Sequence, residues 1–242
     1  MAKIIILLIA ISIMFSGCAG VSQAEYNKVV QERDTLQALL SQEGISTRTI
    51  NGESVTARPP DFDANKALAG LKTNTYQWEN SFGYCVALII ENTTEHDLYL
   101  TAKMQFFNNA GGLVGVQDIN QSAFGQNDKF VLIFQNDEKF DDFKYELDVS
   151  PDEYYKSVNK LLSYEITPAK EKIIIAATNT GNEPILFVEY TALFFKGNKI
   201  IGYDTGYCSD KDSEIKPGNT EYSEATCYEE FDRAEVYFSG RY

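Results

Sequence analysis

Cysteines, closely spaced carboxylates, a single histidine and many tyrosines are the side chains of this chain that could do chemistry. Cys208 and Cys227 stand symmetrically about Lys216-Pro217-Gly218-Asn219. Pro at the second and Gly at the third position of that tetrapeptide is a type II turn signal. A regular hairpin about it brings the two thiols face to face. A disulfide closing such a loop contributes on the order of 3 kcal/mol. The expected pair is therefore Cys208–Cys227, the alternative being two buried thiols, and Cys85 is left as an unpaired core thiol in a strand. Asp210, Asp212 and Glu214 alternate in "SDKDSE" and offer oxygen ligands to a hard cation such as calcium. The glycine and distant glutamate of an EF-hand loop are missing, and the plain alternative is a solvated acidic turn. Trp78, with Tyr76 before it, and Tyr203, Tyr207, Tyr222 and Tyr228 could form a stacking platform for sugar or peptide. Tyrosines of β-sandwiches more often sit at core edges with a wet hydroxyl. His96 lies in "TTEHDL" with no serine or cysteine motif beside it, so neither a catalytic triad nor a histidine zinc site is expected. "GGLVG" precedes a strand pattern rather than a helix and is no dinucleotide fingerprint. No cofactor and no enzymatic activity are expected.

The fourth cysteine has a different setting. Lys3 is followed by an apolar run over residues 4–15, too short to span a membrane but suited to the core of a signal peptide. Ser16, Gly17 and Cys18 come next. The segment "FSGC" resembles the bacterial lipobox, with Phe15 where an aliphatic residue is usual. The resemblance implies a signal peptide over residues 1–17, cleavage after Gly17, and diacylglycerol on the Cys18 sulfur. Two or more acyl chains give stable anchoring where one is marginal. The expected location is the extracytoplasmic face of a cell membrane, with the bilayer as the first partner.

These chemical groups need elements to hold them. The chain has 242 residues and a formal charge of −14, so it repels phosphate backbones, and nucleic acid is not an expected partner. With 15 Tyr and 15 Phe it is rich in strand-forming aromatics. Residues 22–43 lack Gly and Pro and read as a helix that Gly44 ends. Tyr26, Val29, Leu36 and Leu40 fall on heptad core positions, and Arg33 breaks the series. This helix is either a homo-oligomerisation element over residues 22–42 or a solvated tether. Residues 45–60 read as a polar linker ending in Pro59-Pro60, so residues 18–60 form the lipidated tether.

The rest of the chain repeats. "NTTEHDLYLTAKMQFFNNAGGLVG" and "NTGNEPILFVEYTALFFKGNKIIG" begin at Asn92 and Asn179 and have equal length. Each passes from Asn-Thr through a polar turn into a strand ending in Phe-Phe. Leu98, Leu100, Ala102, Met104 and Phe106 share one face of the first strand. Leu186, Val188, Tyr190, Ala192 and Phe194 share one face of the second. Alternation of this kind marks a strand with one face on a core. Strand-like runs flank both copies, at residues 84–90, 129–135 and 140–149 in one and 173–177, 221–226 and 231–238 in the other. The fold class is therefore all-β, with two tandem immunoglobulin-like sandwiches at residues 61–149 and 150–242. A short helix is expected over residues 152–162, where Pro151 and Asp152 form a good start, and another over residues 65–71.

The second copy resembles the FxLYD-type domains of bacterial lipoproteins. The resemblance rests on "NTGNEPILFVEYTALFF", the "KGNK" turn, "DSEIKPGNTEY" and "YEEFDRAEVYFSGR". The first copy matches more loosely, having Gly125-Gln126-Asn127-Asp128 where the second has Pro217-Gly218, and Leu-Phe-Phe-Lys replaces the family's Leu-Tyr-Asp. The resemblance implies a small sandwich used for extracytoplasmic binding and no shared catalytic set. The expected role is non-catalytic: a surface for an envelope protein or glycan, reached by strand edge or loop. The alternatives are an envelope structural protein that oligomerises through residues 22–42, and an accessory subunit of an envelope enzyme or transporter.

Overall fold

The computed structural model describes residues 47–50, 53–56, 62–80, 83–208 and 213–242. The expected signal peptide over residues 1–17, the expected lipidation site Cys18 and the helix expected over residues 22–43 lie outside them. Residues 45–60 carry a hairpin where a linker was expected: β1 (Thr47–Ile50) pairs antiparallel with β2 (Glu53–Thr56). Asn51-Gly52 stands between them in sequence, and Asn-Gly is the strongest short hairpin signal. The hairpin belongs to a compact unit, Met1–Ala57, distinct from Arg58–Tyr242, which holds the remaining elements.

Arg58–Tyr242 is an all-β unit of two antiparallel sandwiches. It opens with a short helix, α1 (Ala64–Ala69), whose first amides are capped by the Asp63 carboxylate. In the first sandwich one sheet is β3 (Leu71–Asn80), β4 (Gly83–Asn92) and β7 (Lys129–Asn136), with β4 central. The other is β6 (Leu113–Phe124), β5 (Leu98–Phe107) and β8 (Asp142–Pro151), with β5 central. The second sandwich repeats the order. Its first sheet is β9 (Leu162–Ala169), β10 (Lys172–Asn179) and β14 (Thr220–Thr226), with β10 central. Its second is β12 (Lys199–Tyr207), β11 (Ile185–Lys196) and β15 (Arg233–Arg241), and β13 (Glu214–Ile215) adds a short pairing to β11.

The inward faces are the expected ones in the first copy, where Leu98, Leu100, Ala102, Met104 and Phe106 are all buried. In the second, Val188, Tyr190, Ala192 and Phe194 are buried, but Ile185 takes the core position expected of Leu186. Phe187 has a φ of 51°, and the register slips between Leu186 and Glu189. That bulge moves the strand by one residue and exchanges its faces.

Each copy is tied by a buried asparagine. The Asn92 amide donates to the carbonyls of His96 and Phe124 at 2.9 Å, and its oxygen accepts from Thr94 N. The Asn179 amide donates to Glu183 and Ile215 at 2.8 Å, and its oxygen accepts from Gly181 N. The backbone match goes further. Asn127 N donates to Asn92 O and Gly218 N to Asn179 O, from turns in which Asn127 has a φ of 63° and Gly218 one of 75°. "GQND" and "KPGN" are thus the same turn, closed from Asp128 N to Gly125 O and from Asn219 N to Lys216 O. The third residue needs positive φ, which Gly and Asn supply most readily.

The helix expected over residues 152–162 does not form. Asp152 does accept from the amides of Tyr154 and Tyr155, as a helix cap would. Lys156, however, exchanges backbone hydrogen bonds with Tyr242, and Ser157 bridges Arg241. The segment is drawn out along the end of β15, and only a 3-10 turn, Asn159–Leu161, remains. It also ties the sandwiches together. Lys156 Nζ lies 2.8 Å from Asp97, and Ser157 passes so near Gly125 that a Cβ there would stand 2.7 Å from it. Beside it the Asp128 carboxylate is buried, and this desolvation pushes its pKa above 3.8 against hydrogen bonds from Ser157, Gly125 and Asn159.

Two outcomes test these constraints. Asn179→Ala strands the carbonyls of Glu183 and Ile215 and the amide of Gly181. At about 1–3 kcal/mol for each buried group left unpaired, urea unfolding should show a loss of about 3 kcal/mol. An unchanged midpoint would refute the tie. For Asp128, the folded carboxyl keeps its proton to higher pH than the unfolded one, so stability falls as pH rises between the two values. Asp128→Asn should melt higher than the wild type at pH 7. The gap should close as pH drops toward 3.8, a trend that thermal melts across that range can check.

Candidate functional site

Much of the outer face of the β3-β4-β7 sheet is covered. Cys85, Ala87, Ile89, Val131 and Trp78 pack against Leu193, Phe195, Ile200 and Tyr237 from the β12-β11-β15 sheet of the second sandwich. The two sandwiches therefore share a third apolar core. This relocates three of the expected platform residues. Trp78 is 8% exposed and edge-on to Tyr203 at 6.0 Å, and among the described residues its Nε1 has no hydrogen-bond partner. Tyr76 packs edge-on against Phe195 at 6.1 Å. Tyr203 reaches Gln135 Oε1 through its hydroxyl at 3.3 Å. All three serve the interface, because a ring between two sheets contributes more by burial than by stacking on a ligand. Tyr207 stays exposed, as do Tyr222 and Tyr228.

The other candidates separate as follows. Cys208 and Cys227 are free thiols, both buried in the core of the second sandwich. Among the described residues the hairpin that would have apposed them does not form. Cys208 N continues the β11 ladder by donating to Val188 O, whereas β14, ahead of Cys227, pairs with β10 in the opposite sheet. The Pro217-Gly218 turn crosses between sheets instead of joining neighbours. Cys85 is free and buried in the shared core. Asp210 and Asp212 lie outside the described residues. Glu214, on β13, has Lys216 Nζ at 3.5 Å, an ion pair rather than a vacant ligand. Among the described residues no cluster of His, Cys, Asp or Glu is arranged to hold a metal ion. His96 stacks edge-on against Phe62 at 5.4 Å.

The shared core stops short of the ends of the sheets, and a groove opens where it stops. Its longer part, about 350 Å³, lies between Gln121 and Ile133 of the first sandwich and Glu189, Thr191 and Tyr203 of the second. An adjoining part, about 210 Å³, is lined by Ser122, Phe187, Tyr207 and Arg241 and shares Gln121, Glu189 and Ser239 with the longer one. The β11 register sets Glu189 directly opposite Tyr207 on one side and Ser239 on the other. A larger cleft of about 450 Å³, by Asp128, Asn159, Tyr164 and Tyr237, is less available chemically. There Asp128 is hydrogen-bonded and Lys129 sits over the Tyr237 ring at 5.6 Å.

The groove was not legible at the level of single residues. Glu189 looks in sequence like any outward position of a strand. A signal for the interface did exist: Cys85–Ile90 reads as an unbroken apolar run, the pattern of a strand buried on both faces.

No protein-family model matches the chain, and no curated protein matches it. Among solved structures, it is similar to a red sea bream transglutaminase at 12% identity and a TM-score of 0.25. The match covers 71% of this chain and 29% of that one, and at this score it bears on neither fold nor activity.

The thiols give a direct check. Burial pushes Cys85 up to about 11 and Cys208 up to about 12, and it raises Cys227 as well. With Cys18 replaced, the chain should titrate three thiols in denaturant, and all three should react slowly in the native state at pH 8. One thiol in denaturant would restore the disulfide.

Proposed function

We propose that this chain is a lipid-anchored extracytoplasmic protein whose second unit presents a non-catalytic binding surface, the groove between its sandwiches. One observation carries the binding part: two sandwiches share an apolar core and leave beside it a groove with polar and aromatic walls. Ligand sites favour such junctions between domains. The anchoring part rests on the apolar run before Cys18 and the lipobox-like "FSGC". In this reading Cys18 carries the acyl chains, the tether lifts the sandwiches from the bilayer, and the groove meets an envelope component.

The two parts fail separately. The wild-type chain should incorporate labelled palmitate and enter the membrane fraction, and Cys18→Ala should do neither. Equal labelling would sink the anchor. Gln121→Trp, which fills the groove, should abolish saturable binding of the chain to isolated envelope material. Binding left undiminished would sink the groove.

A further inference from the structure

Two charged side chains line the smaller end of the groove, and among the described residues neither has an ion-pair partner. Glu189 is partly buried, and desolvation alone shifts its pKa, upward. Arg241 lies with its guanidinium carbon 4.6 Å from the Phe187 ring centre and 4.4 Å from that of Tyr155. Stacking holds a guanidinium by its faces and leaves the N–H donors at its edge free. Arg241 follows Ser239 by two residues on β15, so both side chains point to the face that Glu189 shares, about 7 Å apart along the strand. Carboxylate and guanidinium thus line one cavity of about 210 Å³ without pairing to each other.

The local backbone supports this arrangement. Phe187 has a φ of 51°, unusual for a bulky residue, and the bulge leaves its ring 44% exposed beneath Arg241. Strained backbone of this kind collects at ligand sites. Folding the sandwich does not call for it, since the first copy runs from Leu98 to Phe107 without such a residue.

We propose that this end of the groove binds a small zwitterion, with the ligand's ammonium on Glu189 and its carboxylate on Arg241. A carboxylate half removed from water gains from a cation brought beside it. The guanidinium edge matches a carboxylate with two parallel hydrogen bonds. A ligand with one charge would satisfy one group and leave the other bare. Tyr207 and Phe187 bound the space with ring surfaces, and Gln121 and Ser122 add polar contacts. The cavity is small for a drug-sized ligand, which fits a free amino acid or a short peptide with both ends charged.

The assignment rests on the reading of the groove as a binding surface. It is tested on the full chain by isothermal titration calorimetry with free amino acids, di- and tripeptides, and their N-acetylated and C-amidated forms. At least one zwitterion should bind saturably at one site per chain. Blocking either end should weaken it tenfold or more, as should Glu189→Gln, a near-isosteric change whose fold circular dichroism can verify. Arg241→Gln should have the same effect. The amino-acid and peptide arms separate the two sources. The assignment is overturned if no zwitterion binds, if blocked forms bind equally well, or if Glu189→Gln binds like the wild type. If that happens while Gln121→Trp still abolishes envelope binding, the ligand class alone is wrong; if both tests fail, the groove itself is not a site.

Discussion

Cys85, Ala87, Ile89 and Val131 turn one face of the first sandwich toward the second, and the placement of the two domains follows from that contact. β4 is buried on both sides: Val86, Leu88 and Ile90 enter the core of its own sandwich, and the residues between them enter the shared one. Each fully buried aliphatic or aromatic side chain in such a contact is worth roughly 1.5–3 kcal/mol. The unpaired Trp78 Nε1 costs about 1–3 kcal/mol. Several buried side chains outweigh one stranded donor, so the indole stays inside.

The two copies share a framework and differ in their outer faces. The framework is the Asn-Thr corner. Thr93 and Thr180 both donate from N and from the hydroxyl to a carbonyl of the preceding segment, Gly70 or Leu161. The outer faces show which sheet meets a partner. Where the first copy has Trp78, Cys85 and Val131, the register sets Ala169, Lys172 and Tyr222 in the second. Lys172 pairs there with Glu224 at 2.8 Å, and Tyr222 is 72% exposed. That sheet is built to stay in water. The second copy makes its contact through the other sheet, where Ala192 to Phe195 are all buried although the strand began by alternating. A duplicated fold thus becomes one unit because each copy made a different outer face apolar.

This explains what could be read in advance. The alternation of "LYLTAKMQFF" depends only on the sandwich to which the strand belongs, so its faces follow from local sequence. α1 begins with a side-chain cap at Asp63, also a local device. Apart from the local Asn51-Gly52 hairpin, where a linker was expected, the failures are long-range. Residues 152–162 have helix-forming composition, but the backbone of Tyr242, more than 80 residues on, takes the amide that the helix needed. The symmetry of Cys208 and Cys227 about Pro217-Gly218 suggested a hairpin, but that turn crosses from one sheet to the other. Trp78 looked like a platform because its partner surface lies over 100 residues away in sequence. The unbroken run Cys85–Ile90 and the loss of alternation at Phe194-Phe195 were local marks of the same contact, each readable as a strand with no wet face.

Glu189 is the residue that this logic does not cover. Several other carboxylates accept from nearby donors. Asp152 holds the amide of Ala123, Asp204 that of Thr226, Asp232 that of Gly197, and Asp128 that of Gly125. Each of those bonds closes a turn or joins two segments, so each acid has a structural reason for its place. Glu189 is partly buried and faces a cavity that also holds Arg241 and the strained Phe187, and among the described residues neither charge has an ion-pair partner. A sequence under selection for folding alone would place a threonine or valine on that strand, at no desolvation cost. Sites where local consistency lapses without a structural return are where function is expected to show. The groove is therefore identified less by its shape than by a half-buried carboxylate that, among the described residues, has no ion-pair partner.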